Sequence, residues 1–239
     1  MPDQRKHRGP HPHDQQLFAS DQWSCLRNAT RDLSWLLTRK YAATSALKIV
    51  GDRYSLNARQ RLAIARSACG DDDVTRRQQH EVQQADLQDQ ELWIDGYNVL
   101  TSIEAALSGG VILHARDGCY RDMASMHGSY RKVEETIPAL QILGELLADC
   151  NVVECCWFLD QPVSNSGRLK VMLRDVAEEQ SWRWRAELVR DPDSVLSSTD
   201  KIVASADSQI LDNANRWFNL AKVAIDSNVR DARVVDLSN

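Results

Sequence analysis

Residues 92–100 read LWIDGYNVL, an apolar strand that ends at Asp95 and turns into the next element. Two later segments have the same form, VVECCWFLD at 152–160 and KIVASAD at 201–207, and each ends in an aspartate. Near-continuous apolar strands separated by helical segments are typical of a parallel sheet with helices on both faces. The sequence therefore predicts a three-layer α/β/α domain over residues 91–239.

Three further strands and three helices complete the predicted domain. The strands are ILHA at 112–115, WRAELV at 184–189 and ARVVDL at 232–237, and the helices are 121–150, bent or broken near Pro138, 167–180 and 210–228. No internal repeat is visible.

The N-terminal third has a different pattern. Residues 1–20 are polar and lack periodicity, which predicts a disordered or extended tail. Residues 21–70 have the amphipathic spacing of three short helices, with Ser55 or Asn57 as the cap of the third. Residues 71–90 are rich in Gln and charge, so they are expected to be a linker or a solvated helix before the α/β domain.

The net charge of the chain changes sign near the same boundary, at about residue 80. Residues 1–80 carry a balance of +6 and residues 81–239 a balance of −11. A basic unit can attract a polyanion, and clustered carboxylates can bind divalent cations. Two ordinary solvated surfaces are the alternative.

Composition narrows the class of protein. Hydrophobic residues make up 43% and charged residues 26%, as in globular domains, and no apolar run reaches membrane-spanning length. The N-terminus has no apolar leader segment, and the six cysteines form no C-x-x-C pair. We expect a cytoplasmic protein that contacts no membrane.

The aspartates that close the strands are the main candidates for chemistry. Asp95, Asp160, Asp207 and the pair Asp191 and Asp193 each follow an apolar run. The carboxyl ends of parallel strands share one edge, where ligands bind. A single strand-end aspartate is usually a helix cap, but several together repel one another unless a cation lies between them. The pattern therefore predicts a Mg²⁺ or Mn²⁺ site.

The DGYN segment at 95–98 resembles the opening motif of the NYN branch of PIN-like nucleases, and WFLD and SAD resemble that superfamily's later acidic positions. The resemblance implies a PIN-like fold and metal-dependent RNA cleavage, with Asp95, Asp160 and Asp207 as metal ligands and Asn98 orienting the first. WFLDQP lacks the glycine that often follows the middle aspartate. The A-D-D helix start is also missing, so Asp193 is the candidate for the third acid, with Asp200 next.

A second, longer resemblance covers nearly the whole chain. LSWLLTRKYAATSALKIVGDRYSLNARQR at 33–61 and RGPHPHD at 8–14 resemble the prokaryotic domain of unknown function 434. WIDGYNVL, the segment at 116–140 and LDQPVSNSGRL at 159–169 resemble domain of unknown function 5616, its usual partner. This kinship implies no settled activity.

Two segments are candidates for holding a phosphate backbone. On the predicted helix from 121 and on the loop after Asp160, hydroxyl, aromatic and cationic side chains recur. These residues are Arg121, Tyr130 and Arg131 in the first segment and Ser164, Asn165, Ser166 and Arg168 in the second. For the first segment the alternative is capping by Asp122 and an ion pair of Arg131 with Glu134 or Glu135, and for the second it is a capping loop. The roles of Asp117 and Asp122 stay open.

The leading hypothesis is a Mg²⁺- or Mn²⁺-dependent ribonuclease, with RNA as the expected partner and DNA as the alternative. A second hypothesis is a non-catalytic nucleic-acid-binding protein, whose helix-turn-helix-like unit contacts phosphates through Arg59, Arg61 and Arg66. A third is a protein-interaction module in which the helical unit simply packs on the sheet. The sequence predicts no oligomeric state.

Overall fold

The computed structural model describes residues 6–124 and 128–238. Residues 1–5 of the predicted tail and residues 125–127 of the predicted long helix lie outside this range. Over the described residues the chain is a mixed α/β protein, with a helical N-terminal region and a parallel five-stranded sheet. No helix in these two ranges is long and apolar enough to cross a membrane.

Eight strands and eleven α-helices make up the described chain. The strands are β1 (Glu91–Asp95), β2 (Val111–His114), β3 (Tyr120–Asp122), β4 (Glu154–Asp160), β5 (Trp184–Val189), β6 (Ile202–Ala204), β7 (Trp217–Phe218) and β8 (Arg233–Asp236). The helices are α1 (Asp14–Leu17), α2 (Trp23–Thr38), α3 (Ala43–Arg53), α4 (Ala58–Ser67), α5 (Asp71–His80), α6 (Gly96–Leu107), α7 (Thr136–Asp149), α8 (Ser166–Gln180), α9 (Pro192–Ser197), α10 (Ser208–Leu211) and α11 (Leu220–Asn228). Short 3₁₀ turns cover Ser20–Gln22 and Gln84–Leu87.

The main sheet has the order β5-β4-β1-β6-β7, and all of its strand pairs are parallel. Alternate residues of each strand enter two different cores. In β4, Trp157 belongs to the larger core with α6, α7, α8 and α11, whereas Phe158 faces the smaller core beside α9 and α10. Helices therefore cover both faces, which explains why β4 is apolar at consecutive positions.

The strand order reverses at β1. The chain runs from β1 outward through β4 to β5, then returns to the other side of β1 for β6 and β7. The crevice beyond the carboxyl ends of β1 and β6 is the topological switch point, where open α/β sheets bind their ligands.

A second, three-stranded sheet joins the helical region to the rest of the molecule. Its order is β3-β2-β8, with β2 antiparallel to β3 and parallel to β8. Val111, Leu113 and Val235 lie in one buried core with Leu26 and Ile64 of the N-terminal helices. The helical region thus packs directly on this sheet.

The predicted three-helix arrangement of residues 21–70 agrees with α2, α3 and α4. Asn57 caps α4: its Oδ1 accepts hydrogen bonds from the backbone N–H groups of Arg59 and Gln60, each at 3.0 Å. The Gln60 side chain accepts a hydrogen bond from the Asn57 N–H at 3.3 Å in return. This capping box explains why α4 begins where it does.

Asn57→Ala is expected to lower the free energy of unfolding by about 1 kcal/mol, because two N–H groups at the start of α4 lose their acceptor. Urea unfolding followed by circular dichroism measures the change. Asn57→Asp keeps an acceptor at the same position and serves as the control. A loss of equal size in both variants would contradict the capping role.

The structure shows buried contacts in the segment predicted as a tail and in the segment predicted as a linker or solvated helix, which contains α5. Asp14 and Phe18 are buried, because Asp14 pairs with Arg59 and Phe18 enters the helical core. In the predicted linker, α5 presents Arg77 to two carboxylates, and this arginine is also buried. Few apolar residues mark these segments, since a few buried side chains such as Phe18 and Leu87 attach them together with the ion pairs.

Two predicted helices are also wrong in part. Residues 120–122 form β3 instead of a helix, because they pair with β2, and the helix begins only at Thr136 with Pro138 in its first turn. Residues 210–228 contain β7 between two helices, since Trp217 and Phe218 complete the edge of the main sheet. ARVVDL is a strand as predicted, but it belongs to the second sheet.

Candidate functional site

The predicted aspartates lie at the carboxyl edge of the main sheet. Asp95 ends β1 and precedes α6, and Asp160 ends β4. Asp207 follows β6 and caps α10, where its Oδ1 accepts hydrogen bonds from the N–H groups of Gln209 and Ile210. Asp193 lies in the first turn of α9, which follows β5.

The β1 and β6 ends are hydrogen-bonded to each other through three side chains. The Ser205 hydroxyl donates to Oδ2 of Asp95 at 2.7 Å and accepts from the Asp207 N–H at 2.9 Å. Oδ1 of Asn98 accepts from the Ala206 N–H at 2.8 Å. The Asn98 side chain therefore holds the loop after β6 in place, and the Ser205 hydroxyl, rather than the Asn98 side chain, bonds the Asp95 carboxylate.

The negative charges at this edge act on one another. Burial raises the pKa of the Asp95 carboxyl to about 7; the Ser205 hydrogen bond opposes the rise, and the charges of Asp193 and Asp207 add to it. The pKa of Asp193 is raised by burial first and then by Asp207, Asp160 and Asp191. Asp193 thus interacts with each of the other aspartates at this edge, while Asp95 also interacts directly with Asp207.

The spacing of these acids is looser than in a preformed metal cage. Within residues 6–124 and 128–238, no group of three or more His, Cys, Asp or Glu side chains is arranged to hold a metal ion. The predicted ligands Asp95, Asp160 and Asp207 therefore do not form a closed set. Burial raises the pKa of Asp160, and the charge of Asp191 adds to the rise.

A cleft of about 340 Å³ opens beside Asp207 and Asn98. Its other walls come from α6, from the loop after β3 and from α4 of the helical region. The lining side chains are Arg66, Tyr97, Asn98, Thr101, Ser102, Arg121, Asp122, Asp207 and Ser208. The cleft lies at the switch point of the main sheet, and the helical region closes one side of it.

Arg121 lies in the cleft wall but is bound within the protein. Its guanidinium donates to both carboxylate oxygens of Asp117, at 2.9 and 2.6 Å, and to the carbonyl oxygen of Ala206 at 2.7 Å. Arg77 contacts the same Asp117 carboxylate. The predicted phosphate contact by Arg121 is therefore replaced by a structural role, in which it supports the loop that carries Asp207.

Tyr130 is also buried. Its hydroxyl donates to Oε1 of Glu104 at 2.7 Å and its ring packs against Tyr97, with 5.4 Å between centroids. Arg8 pairs with the same buried Glu104. A base cannot stack on Tyr130 in this arrangement, so that prediction is not supported by the geometry. Arg131 remains exposed.

The loop before α8 keeps its predicted donors at the surface. Ser164, Asn165 and Arg168 are exposed, whereas Ser166 is buried. Asn165 adopts the left-handed conformation at φ 72°, and its side-chain amide donates to the carbonyl oxygen of Tyr130 at 3.0 Å. The loop follows Asp160 and so lies on the same edge of the sheet as the aspartates.

The three arginines of the helical region are engaged in internal contacts. Arg59 pairs with Asp14, Arg61 pairs with Asp52 at 2.7 Å, and Arg66 donates to the carbonyl oxygens of Asp122 and Ala124. Of these, Arg66 alone lines the cleft. The contacts give no separate helix-turn-helix surface to this set of arginines.

Comparison with known proteins places the chain in a family. The model of DUF5616, described as a domain of unknown function, matches residues 84–223, more than half of the chain. The chain belongs to the DUF5616 family. The model of DUF434, described as a protein of unknown function, matches residues 25–80 of this DUF5616 protein.

An uncharacterized protein of Methanocaldococcus jannaschii is 30% identical to this DUF5616 protein over 190 residues, which covers 80% of the chain and 90% of the relative. No solved structure matches the chain. The DUF5616 match holds all the acids of the carboxyl edge, and the DUF434 match supplies Arg66 to the cleft.

Ser205 is a site residue that the sequence did not identify. Ser205 lies two positions before Asp207 in KIVASAD, and this closeness to a candidate acid could have identified it. Arg66 was predicted as a phosphate contact of the helical region, but not as a residue that lines this cleft. Arg66 approaches the DUF5616 cleft from α4, and nothing in the local sequence indicates that contact. Thr101 and Ser102 were missed as well; both donate to Oδ2 of Asp122 from α6, at 3.3 and 3.0 Å.

The raised pKa of Asp95 has a measurable effect on the stability of the DUF5616 protein. Between the unfolded pKa of 3.8 and the folded pKa of about 7, the folded state binds the proton more tightly, so stability falls as pH rises through this window. With chelator present, Asp95→Asn is expected to be more stable than the wild type by about 2–4 kcal/mol at about pH 8. The difference should vanish near pH 4.

Urea unfolding at both pH values measures this effect. Asp175→Asn is the matched control, since Asp175 is exposed on α8. A wild-type protein whose stability rises between pH 5 and pH 7 relative to Asp95→Asn would contradict the predicted direction.

Proposed function

We propose that this protein is a divalent-metal-dependent ribonuclease with a PIN-like α/β domain. The observation that carries the proposal is the convergence of Asp95, Asp160, Asp193 and Asp207 at the carboxyl edge of a parallel sheet. Structural capping explains Asp207 in part, but it does not explain why Asp95 is buried among other negative charges at a switch point.

The strand order of the main sheet supports the PIN-like assignment. A central β1, with β4 and β5 on one side and β6 and β7 on the other, matches the doubly wound arrangement expected for that domain. The DGYN and SAD motifs fall at the ends of β1 and β6, where the resemblance requires them.

The donor set suits a hydrated Mg²⁺ or Mn²⁺ ion. Such ions prefer carboxylate oxygens, and Mg²⁺ keeps several waters while one or two protein carboxylates bind it, so an open set of acids fits. Asp95 with Asp207 or Asp193 would hold the ion, and Asp160 would complete the negative edge. The bound ion supplies an activated water and neutralises charge on the phosphodiester.

The protein's own residues would orient the substrate. Ser205 keeps Asp95 fixed, and Asn98 keeps the loop of Asp207 against it. The exposed Ser164 and Arg168, at the start of α8, offer a hydroxyl group and a cation to a phosphate on the Asp160 side, and Arg131 adds a second exposed cation. RNA is the proposed substrate, and DNA is the alternative that the assay separates.

The test is cleavage of a mixed-structure RNA pool by the purified protein with Mn²⁺, with Mg²⁺ and with chelator, alongside the same pool as DNA. Metal-dependent cleavage of RNA that Asp95→Asn loses would support the proposal. Failure of the wild type to cleave under any of these conditions, or equal cleavage by both proteins, would overturn it.

A further inference from the structure

One edge of the main sheet is covered by another segment of the chain, and the other edge is open. At the β7 edge, the chain segment after α5 covers the strand: the Val82 N–H donates to the Trp217 carbonyl at 2.8 Å, and Glu81 bridges to Trp217. At the other edge, β5 pairs only with β4 among the described residues. An open edge of this kind is a template for another strand.

The backbone groups on the open side of β5 can be assigned from its hydrogen bonds to β4. The carbonyl oxygen of Arg183 accepts from the Cys155 N–H at 2.9 Å, and that of Val189 accepts from the Gln161 N–H at 2.7 Å. Odd-numbered residues therefore face β4. Because neighbouring residues point in opposite directions, the N–H and C=O groups of Ala186 and Leu188 face outward.

The sequence of β5 is self-complementary about Ala186. The central residues of the strand are Trp184, Arg185, Ala186, Glu187 and Leu188. If a second copy pairs antiparallel about a twofold axis at Ala186, each charged side chain faces one of opposite charge and each apolar side chain faces another apolar one. Arg185 then faces the partner's Glu187, and Trp184 faces the partner's Leu188. We propose that the protein forms a homodimer through antiparallel pairing of β5, which joins two five-stranded sheets into one of ten strands.

The geometry of the ladder suits these pairs. Ala186 would exchange both backbone hydrogen bonds with the partner's Ala186, so the Arg185 and Glu187 positions become the non-hydrogen-bonded pairs, where side chains of the two strands are closest. Both side chains are accessible: Arg185 is 41% exposed and Glu187 is 45% exposed. Within the chain, Arg185 already bonds Glu154 at 2.7 Å, and Glu187 accepts only a longer contact of 3.4 Å from it.

An apolar surface beside β5 is available for burial by the second copy. A cleft of about 320 Å³ lies between α8 and β5, lined by Val171, Leu173, Trp184 and Ala186 together with Lys170 and Arg174. Val171 is 46% exposed. The partner's α8 and β5 would bury this surface, as exposed apolar patches at interfaces are buried.

The test is the mass of the full chain in solution, by sedimentation equilibrium on the wild type, Arg185→Glu, Glu187→Arg and the double variant. We expect a wild-type dimer, and each single reversal should raise its dissociation constant by about tenfold or more, because two like-charge pairs replace two attractive ones. The double variant restores unlike charges across the axis and should dimerise again. Lys48→Glu, on the distant α3, is the matched control and should remain dimeric.

A fifth variant, Ala186→Pro, checks the backbone part of the interface. Its missing N–H faces outward, so pairing with β4 is kept while the central pair across the axis is lost, and the variant should be a folded monomer by circular dichroism and mass. A monomeric wild type would overturn the proposal. A dimer that is insensitive to both single reversals and to Ala186→Pro would place the interface elsewhere and overturn it equally.

Discussion

Asp95→Asn is expected to lower metal-dependent RNA cleavage by about 10²–10³-fold while the protein stays folded. The substitution keeps the size of the side chain and an oxygen that can accept the Ser205 hydroxyl, so the loops of β1 and β6 keep their contact. What it removes is the negative charge that would bind the ion at the switch point. The loss should therefore appear in the catalytic rate at saturating RNA.

The stability measurement separates this loss from unfolding. Because burial disfavours the charged form of Asp95, the asparagine variant should be at least as stable as the wild type at neutral pH. Asp175→Asn makes the same chemical change on the exposed face of α8 and should cleave at the wild-type rate. Cleavage by Asp95→Asn within a factor of two of the wild type would remove Asp95 from the proposed metal site.

Asp117→Asn is expected to have the largest effect on folding, a loss of about 3–5 kcal/mol in the free energy of unfolding. Asp117 is buried between Arg77 and Arg121, and it also accepts a hydrogen bond from the Cys119 N–H at 3.2 Å. The variant preserves the volume but leaves the buried Arg121 without its counter-charge and Arg77 with Asp212 alone. Unpaired buried charges cost more than the pair itself contributes.

The shifted pKa of Asp117 also determines how the free energy of unfolding changes at low pH. The two guanidinium groups hold the pKa of Asp117 well below its usual range, although burial alone would raise it. Its contribution is thus present above the unfolded pKa of 3.8 and is lost as the pH falls further. Urea unfolding at about pH 7 gives the size of the effect, with Asp175→Asn as the reference. A loss under 1 kcal/mol would show that the two arginines find other partners.

The central strands of the α/β domain could be predicted because burial on both faces leaves a clear sequence pattern. ELWID and ECCWFLD are apolar at nearly every position, and each ends in an acid that the fold brings to one edge. The helices of residues 21–70 were predicted for a similar reason, since Asn57 and the apolar spacing mark α4 directly.

Short elements could not be predicted, since long-range pairing decides them. Tyr120–Asp122 becomes a strand only because β2 lies beside it, and Trp217–Phe218 only because β6 and residue 82 hold it. The roles of Arg121 and Tyr130 could not be predicted for the same reason, because long-range contacts decide them. Arginine and tyrosine are both common at nucleic-acid interfaces. Only the fold shows that Arg121 is bound to Asp117 and that Tyr130 is bound to Glu104.

The second sheet has a consequence for how the chain acquires its structure. The helices at 23–67 bury their apolar face against β2 and against Val235 and Leu237, which are translated long after the helices. Arg27 also bonds to the carbonyl oxygen of Asp236 at 2.8 Å. The helical region cannot complete its core on the ribosome while β8 is still unmade. The boundary between the DUF434 and DUF5616 matches therefore crosses one shared core, and we expect the two parts to unfold together as one cooperative unit.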